Sequence, residues 1–259
     1  MNRINIWQET LPVRFGNIDS SDRMTLAAVF DFFQEAAISH AEHLGVGREA
    51  MARTGQVWVL SRMSVLILRR PRWTETLTLR SWPRGTEKLL ALRDYDLRDA
   101  EGIPLVLGRS GWLVLDREKR RPLRSQAFME GLPRNEGLDA LPGIPPGLEA
   151  RNGLSLMGER RAVYSDIDYN GHVNNARYVQ WIQDSLDPGR LIQASGMRLD
   201  INYLREVRGG DSIRLWAAPL PPEPAKAGES GLEPWHSLTA LEGRYADGRP
   251  AFRAELRTC

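Results

Sequence analysis

From residue 26 the apolar positions fall at helical spacing. Leu26, Val29, Phe30, Phe33, Ala37, Ala41 and Leu44 recur every three or four residues. This predicts a helix that buries one stripe and stops near Leu44, where Gly45 supplies a C-terminal signal. Upstream, Leu11, Val13 and Phe15 alternate with polar neighbours, as in a short half-buried strand. Downstream the period shortens, and strands are expected over 57–69, 75–82, 89–98 and 103–115. "DAEG" at 99–102 joins the last two as a hairpin. The later part of the chain offers strands over 197–206, 211–218, 236–245 and 249–258, with "ADG" at the last hairpin. One long helix set against about five strands per unit is an α+β pattern.

The two parts resemble each other. "FGNIDSSDRMTLAAVFDFFQEA" (15–36) lies without a gap on "YSDIDYNGHVNNARYVQWIQDS" (164–185) at an offset of 149. "LRRPRWTETLTL" (68–79) lies on "LREVRGGDSIRL" (204–215) at an offset of 136, and "DAEGIP" (99–104) matches "YADGRP" (245–250). Three collinear matches point to a duplicated unit. Residues 131–150 hold four prolines and four glycines and predict a connecting segment. The expected division is a first unit over 1–130, a linker over 131–155 and a second unit over 156–259. Residues 219–234, "PLPPEPAKAGESGLEP", have the composition of a flexible insertion.

Composition narrows the function classes. At 42% hydrophobic and 26% charged, 259 residues make an ordinary globular chain with a sizeable core. A net charge of +2 gives no footprint for nucleic acid. The opening "MNRINIWQETLPVRF" lacks the apolar run of a signal peptide, and no window approaches a membrane span. Cys259 is the only cysteine, so no internal disulfide forms, and a reducing, cytoplasmic setting is expected. The basic run "DREKRRPLR" at 116–124 fits either a solvated hairpin end or a patch for an acidic partner.

Chemistry enters where the repeats differ. Against Asp168, Asn170 and His172 the first unit has Asp19, Ser21 and Arg23, and against Glu206 it has Arg70. The apolar frame is in both copies, but the polar set is in one. Asn170-Gly171 predicts a tight turn and Asn174 a helix N-cap. Read as extended chain, Asp168, Asn170 and His172 project to one side. Helix-start N–H groups bind developing negative charge, a histidine moves protons near neutral pH, and an asparagine orients a carbonyl without titrating. That equipment suits acyl transfer or hydrolysis.

On these residues the chain resembles the acyl-acyl-carrier-protein thioesterases, which are tandem hotdog proteins. "DIDYNGHVNNARYVQW" (166–181) is similar to the family signature Asp-x-Asn-x-His-Val-Asn-Asn with its following Tyr and Trp, and "INYLREVRGGDSI" (201–213) to its downstream Arg-Glu motif. "FQEAAISHAEHLGVG", "WVLSRMSVLILRRPRW" and "SWPRG" in the first half are also similar to family segments. The resemblance implies two hotdog units, each a long helix wrapped by an antiparallel sheet. It implies hydrolysis of fatty acyl thioesters of an acyl carrier protein, with no cofactor and no metal. The active site falls in the second unit, with Asp168, Asn170, His172 and Glu206 as the catalytic set, while the first unit shapes the acyl pocket. Phe33, Trp58, Asn174 and Asn175 are the expected substrate contacts. Arg69, Arg72, Arg120 and Arg121 are the expected docking cations. Val207 stands where plant members often carry cysteine, which removes a thiol nucleophile there. Asp166 is the competing candidate for Asp168. An acyl-CoA thioesterase and a non-catalytic acyl-binding hotdog are the alternative functions, and a monomer or homodimer is expected.

Overall fold

The computed structural model describes residues 5–123, 131–221 and 235–259. The first unit runs β1 (Trp7–Pro12), α1 (Leu26–His43), α2 (Arg48–Arg53), β2 (Gln56–Ile67), β3 (Thr76–Glu87), β4 (Leu90–Arg98) and β5 (Pro104–Asp116). The second runs β6 (Ser155–Arg161), α3 (Asn175–Asp184), α4 (Pro188–Gln193), β7 (Met197–Tyr203), β8 (Ser212–Leu220), β9 (Ser237–Arg244) and β10 (Pro250–Thr258). Among the described residues the strands form one antiparallel sheet in the order β1-β3-β4-β5-β2-β7-β10-β9-β8-β6. The second five mirror the first five. Each unit is a helix lying on a five-stranded sheet, and the pair is a tandem hotdog whose sheets are continuous.

The seam between units carries the repeat. β2 pairs with β7 so that Ser64 lies opposite Asp200, Met63 opposite Ile201 and Val65 opposite Leu199. Ser64 and Asp200 are counterparts at the offset of 136, so a pseudo-twofold axis passes through that pair. The Ser64 hydroxyl donates to the Asp200 carboxylate at 2.5 Å, and both side chains are buried. A strand pairing with its own copy buries what would otherwise be an open sheet edge.

α1 is long because good helix formers fill it and because its N-terminus is capped. The Thr25 hydroxyl accepts from the Ala28 N–H, and Gly45 at φ +73° turns the chain out. Leu26, Val29, Phe30, Phe33 and Ala37 are buried as the periodicity predicts. The stripe then continues through Ala36 and His40, leaving Ala41 and Leu44 half-buried. α3 starts at the matching position, with Asn174 as its N-cap, but is 10 residues long against 18 for α1. Pro188 ends it early and opens α4, capped by the Asp187 carboxylate.

The structure departs from the sequence pattern in two places. Phe15 is not part of the first strand, which ends at Pro12. It sits on a 3-10 turn and is 74% exposed. The 131–154 stretch has no helix or strand but is not a loose tether. The Trp82 indole donates to the Leu138 carbonyl, Arg84 and Arg109 bond Asp139, and the Leu148 N–H donates to Asn202. It therefore covers the sheet face opposite the helices, where Asp94 is paired with Arg109 and buried. Most of the expected insertion (222–234) and Arg124 of the basic run lie outside the described residues.

Candidate active site

The signature loop folds around two short turns. Tyr164–Asp166 forms a 3-10 turn in which the Asp166 carboxylate accepts from the Val163 N–H at 2.9 Å. The Asp166 carbonyl accepts from the Asn174 N–H at 2.8 Å. Ile167 then bridges to Val173. Between them the Asp168 N–H donates to the His172 carbonyl at 2.9 Å, and the Gly171 N–H donates to the Asp168 carbonyl at 3.0 Å. Gly171 adopts φ +79°, which a glycine takes without strain. The expected extended segment is therefore a hairpin turn. Asp168 and His172 meet at its neck, and Asn170 is exposed at its tip.

The first unit makes the same turn. The Asp19 N–H donates to the Arg23 carbonyl, and Asp22 takes the left-handed position at φ +63°. Asp19 accepts from the Ser21 N–H as Asp168 accepts from the Asn170 N–H, both at 2.8 Å. A side-chain acceptor at this position serves the turn in both copies. Asn17 does for Arg14 what Asp166 does for Val163, so that residue is structural too.

Here the second unit has a histidine–carboxylate pair that its first-unit counterparts, Arg23 and Arg70, do not form. His172 Nε2 lies 3.1 Å from Glu206 Oε2, with both side chains half-buried. Arg120, from the turn after β5, pairs with the other oxygen of Glu206. Two tyrosines fix the Glu206 segment. The Tyr245 hydroxyl donates to the Glu206 carbonyl, and the Tyr178 hydroxyl accepts from the Val207 N–H at 3.2 Å. Burial, with the positive charges of Arg208 and Arg120, pushes the His172 imidazole below its ordinary pKa, and Asp168 opposes them. The imidazole is thus kept neutral at neutral pH, able to take a proton and give it back.

In the first unit the same place is filled by Arg70, which is 3% exposed. Its guanidinium pairs with the Asp19 carboxylate and donates to the carbonyls of Met24, Arg23 and Leu191 at 3.0, 3.1 and 3.1 Å. Each of its three nitrogens serves structure, and the position holds no histidine–glutamate pair.

The Asn174 side chain caps α3 through the Ala176 N–H, and its carbonyl takes the Arg177 N–H. Asn175 is the first helical residue, beside the loop. Phe33 is fully buried, stacked on Tyr95 with ring centroids 4.7 Å apart. Trp58 is half-buried and donates to the Val46 carbonyl. Arg69 forms a two-pronged pair with Glu75. Arg72 bridges by backbone to Arg23, and Arg121 is exposed. Cys259 follows β10 at the Met197 end of β7, whereas Glu206 lies past the Tyr203 end. At about 3.3 Å per residue the strand alone separates them by roughly 20 Å. Among the described residues no cluster of three or more His, Cys, Asp or Glu is arranged for a metal.

Three site residues escaped the sequence reading as such. Tyr178 was the most findable, because its repeat counterpart is Val29 and the exchange brings a phenol hydroxyl to a shared apolar position. Tyr245 and Arg120 are brought in by tertiary contacts that no local pattern carries.

The model for the acyl-ACP thioesterase N-terminal domain matches residues 5–127, and that for the C-terminal domain matches residues 152–253. The chain belongs to the acyl-ACP thioesterase family. It is 24% identical to a chloroplastic palmitoyl-acyl carrier protein thioesterase of Cuphea hookeriana, over 96% of this chain and 62% of that protein. It is 26% identical to the chloroplastic oleoyl-acyl carrier protein thioesterase 2 of Arabidopsis thaliana, over 80% of this chain and 61% of that protein. The chain thus spans under two thirds of the length of these relatives. In fold it is similar to an acyl-ACP thioesterase from Bacteroides thetaiotaomicron, with a TM-score of 0.81 at 20% identity over 98% of each chain. It is similar also to the 12:0-ACP thioesterase from Umbellularia californica, with a TM-score of 0.79 at 20% identity over 98% of this chain and 94% of that one. Both acyl-ACP thioesterase domain models cover a unit of the repeat, and the His172–Glu206 pair lies wholly within the second match.

Proposed function

We propose that this protein hydrolyses the thioester of a fatty acyl chain on an acyl carrier protein, releasing the free fatty acid. The observation that carries the reading is the His172–Glu206 contact at 3.1 Å in the second unit, where the first unit has a buried arginine. Family membership supplies the substrate class. Water attacks the carbonyl carbon while the Glu206–His172 pair takes its proton. The carbonyl oxygen gathers charge and is held by Asn170 and by the Asn175 N–H in the first turn of α3. The carbon–sulfur bond then breaks, and the His172 imidazolium returns the proton to the thiolate. Asp168 shapes the turn and adds negative charge beside His172. No thiol of the protein takes part, and no cofactor is needed.

The division of labour between the two carboxylates is testable. Glu206→Gln is expected to lower kcat by about 10²-fold or more, in the range of lost general acid–base catalysis. Asp168→Asn keeps a side-chain acceptor for the turn and is expected to cost about tenfold. Cys259→Ser should leave steady-state rates on acyl-carrier protein unaltered. A reversed order of the two carboxylate variants, both folded, would assign the chemistry to Asp168.

The reading extends to the whole chain. The first unit (1–130) and the segment 131–155 serve as scaffold and pocket wall for a catalytic second unit (156–259). Among the described residues no helix is long and apolar enough to cross a membrane. A cytoplasmic setting, with the tandem units working as a monomer or homodimer, completes the proposal. The exposed cations at 117–121 offer the first contact for an acidic carrier.

A further inference from the structure

The interior of the first unit holds a cation that its own fold does not neutralise. Arg93 stands on β4 and is 8% exposed. Its Nη1 donates to His40 Nδ1 on α1 and to the Ser81 hydroxyl on β3, each at 3.0 Å. Both partners are uncharged, because Nδ1 accepts only while it carries no proton. Among the described residues nothing bonds the Nε–Nη2 edge of the guanidinium, and no carboxylate reaches ion-pair distance. Burial depresses the pKa of the group. More polar hydrogens lie beside it. The Tyr95 and Ser110 hydroxyls share a hydrogen bond at 2.9 Å, and the Trp112 indole donates to the Ser110 oxygen at 2.7 Å. Buried charges are ordinarily paired, so a buried cation with neutral partners needs a reason.

The repeat shows that the reason is not the fold. Ser81, Tyr95 and Gly108 lie side by side on β3, β4 and β5, as Ala217, Leu241 and Ala254 do on β8, β9 and β10. In that frame Arg93 and Ser110 correspond to Thr239 and Leu256. Arg190 reaches in from α4 to bond Thr239, but it remains half-buried. The second sheet therefore closes over its helix with threonine, alanine and leucines where the first carries the polar cluster.

Arg93 is also aligned with the active site. Ser110, opposite Arg93, is followed on the same face of β5 by Trp112 and Val114, whose β2 partners are Leu60 and Trp58. β5 ends at Asp116, and the next turn carries Arg120 to Glu206. From Ser110 to Asp116 the strand runs roughly 20 Å. An acyl chain laid along this apolar row, with its thioester at His172, brings its far end to Arg93. We infer that this far end carries a carboxylate, resting on the hydrolase reading above: the preferred substrate is the thioester of a dicarboxylic acid, its free carboxylate held in two prongs by the Nε–Nη2 edge of Arg93. The carboxylate supplies the missing negative charge and accepts from both nitrogens. A methyl end would leave those buried donors unsatisfied.

The test presents the wild-type protein with acyl-carrier proteins loaded with ω-carboxyacyl chains and with unsubstituted chains of equal length, over a range of lengths. At the best length, kcat/KM is expected to be about tenfold or more higher for the ω-carboxyacyl chain. Arg93→Met removes a buried charge that no carboxylate compensates, so folding should not suffer, and the ratio should fall towards one. Arg93→Lys keeps the charge without the fork and should retain part of the preference. An equal or higher kcat/KM on the unsubstituted chain at every length would overturn the inference while leaving hydrolysis intact, and that comparison needs no variant to fold. A folded Arg93→Met protein that keeps the full preference would overturn it as well. A wild-type protein that hydrolyses neither series overturns the hydrolase reading and this inference with it.

Discussion

At the scale of single residues, the repeat separates groups that serve the turn in both units from groups to which the proposed hydrolysis assigns the chemistry. Asp168 and Asp166 have first-unit counterparts making the same backbone contacts, whereas His172 and Glu206 face Arg23 and Arg70. His172 then has a defined pH behaviour. Burial and the cations Arg208 and Arg120 hold its pKa below the ordinary 6.5, so the reactive neutral form persists as pH falls through 6.5. On the proposed mechanism, activity is expected to fall as pH drops through the lowered value, where the ring gains a proton and ceases to be a base. Removing Arg208 relieves part of that repulsion and raises the pKa. The acid limb of kcat/KM in Arg208→Gln is therefore expected at higher pH than in wild type. Acyl-N-acetylcysteamine is the substrate for this measurement, since it carries no phosphate for Arg208 to meet. An acid limb that does not move would detach His172 from it.

At the scale of elements, the two units start their helices with the same device. Thr25 caps α1 and Asn174 caps α3, each accepting an N–H of the first turn. Thr25→Ala and Asn174→Ala are each expected to cost about 1 kcal/mol in urea unfolding. A much larger loss for Asn174→Ala would mean that its carbonyl and N–H contacts to Arg177 and Asp166 move with the cap. These caps, the Asn170-Gly171 turn and most strand spans were legible in the sequence because each rests on neighbours a few positions away. α2 and α4 were missed because six residues are too few to show a period. Phe15 was drawn into the first strand because its alternation with Val13 continues past Pro12, whose missing N–H helps end the strand. The extended reading of 168–172 failed for a related reason. A spacing of two describes a strand and a tight turn equally well, and Gly171 decides for the turn.

At the scale of the whole molecule, duplication was visible in the sequence, and so was the loss of the polar set from one copy. The continuous sheet was not, because it depends on β2 pairing with its own counterpart across the pseudo-twofold axis. Nor was the fate of the vacated position. Arg70 is a charged residue with 2% of its side chain exposed, tied to Asp19 in its own unit and to the Leu191 carbonyl at the end of α4 in the other. A buried cation is tolerated only while its partners stay in place. Arg70→Ala leaves Asp19 without its guanidinium and removes a donor from the carbonyls of Met24, Arg23 and Leu191, and is expected to cost about 3–5 kcal/mol in equilibrium unfolding. Arg70→Lys restores the charge but not the forked set of donors, and should recover only part of that loss. Below the unfolding transition, kcat of Arg70→Ala should stay within about twofold of wild type, since no acid or base is removed. A folded Arg70→Ala with kcat reduced tenfold or more would mean that the first unit does more than hold the second in place.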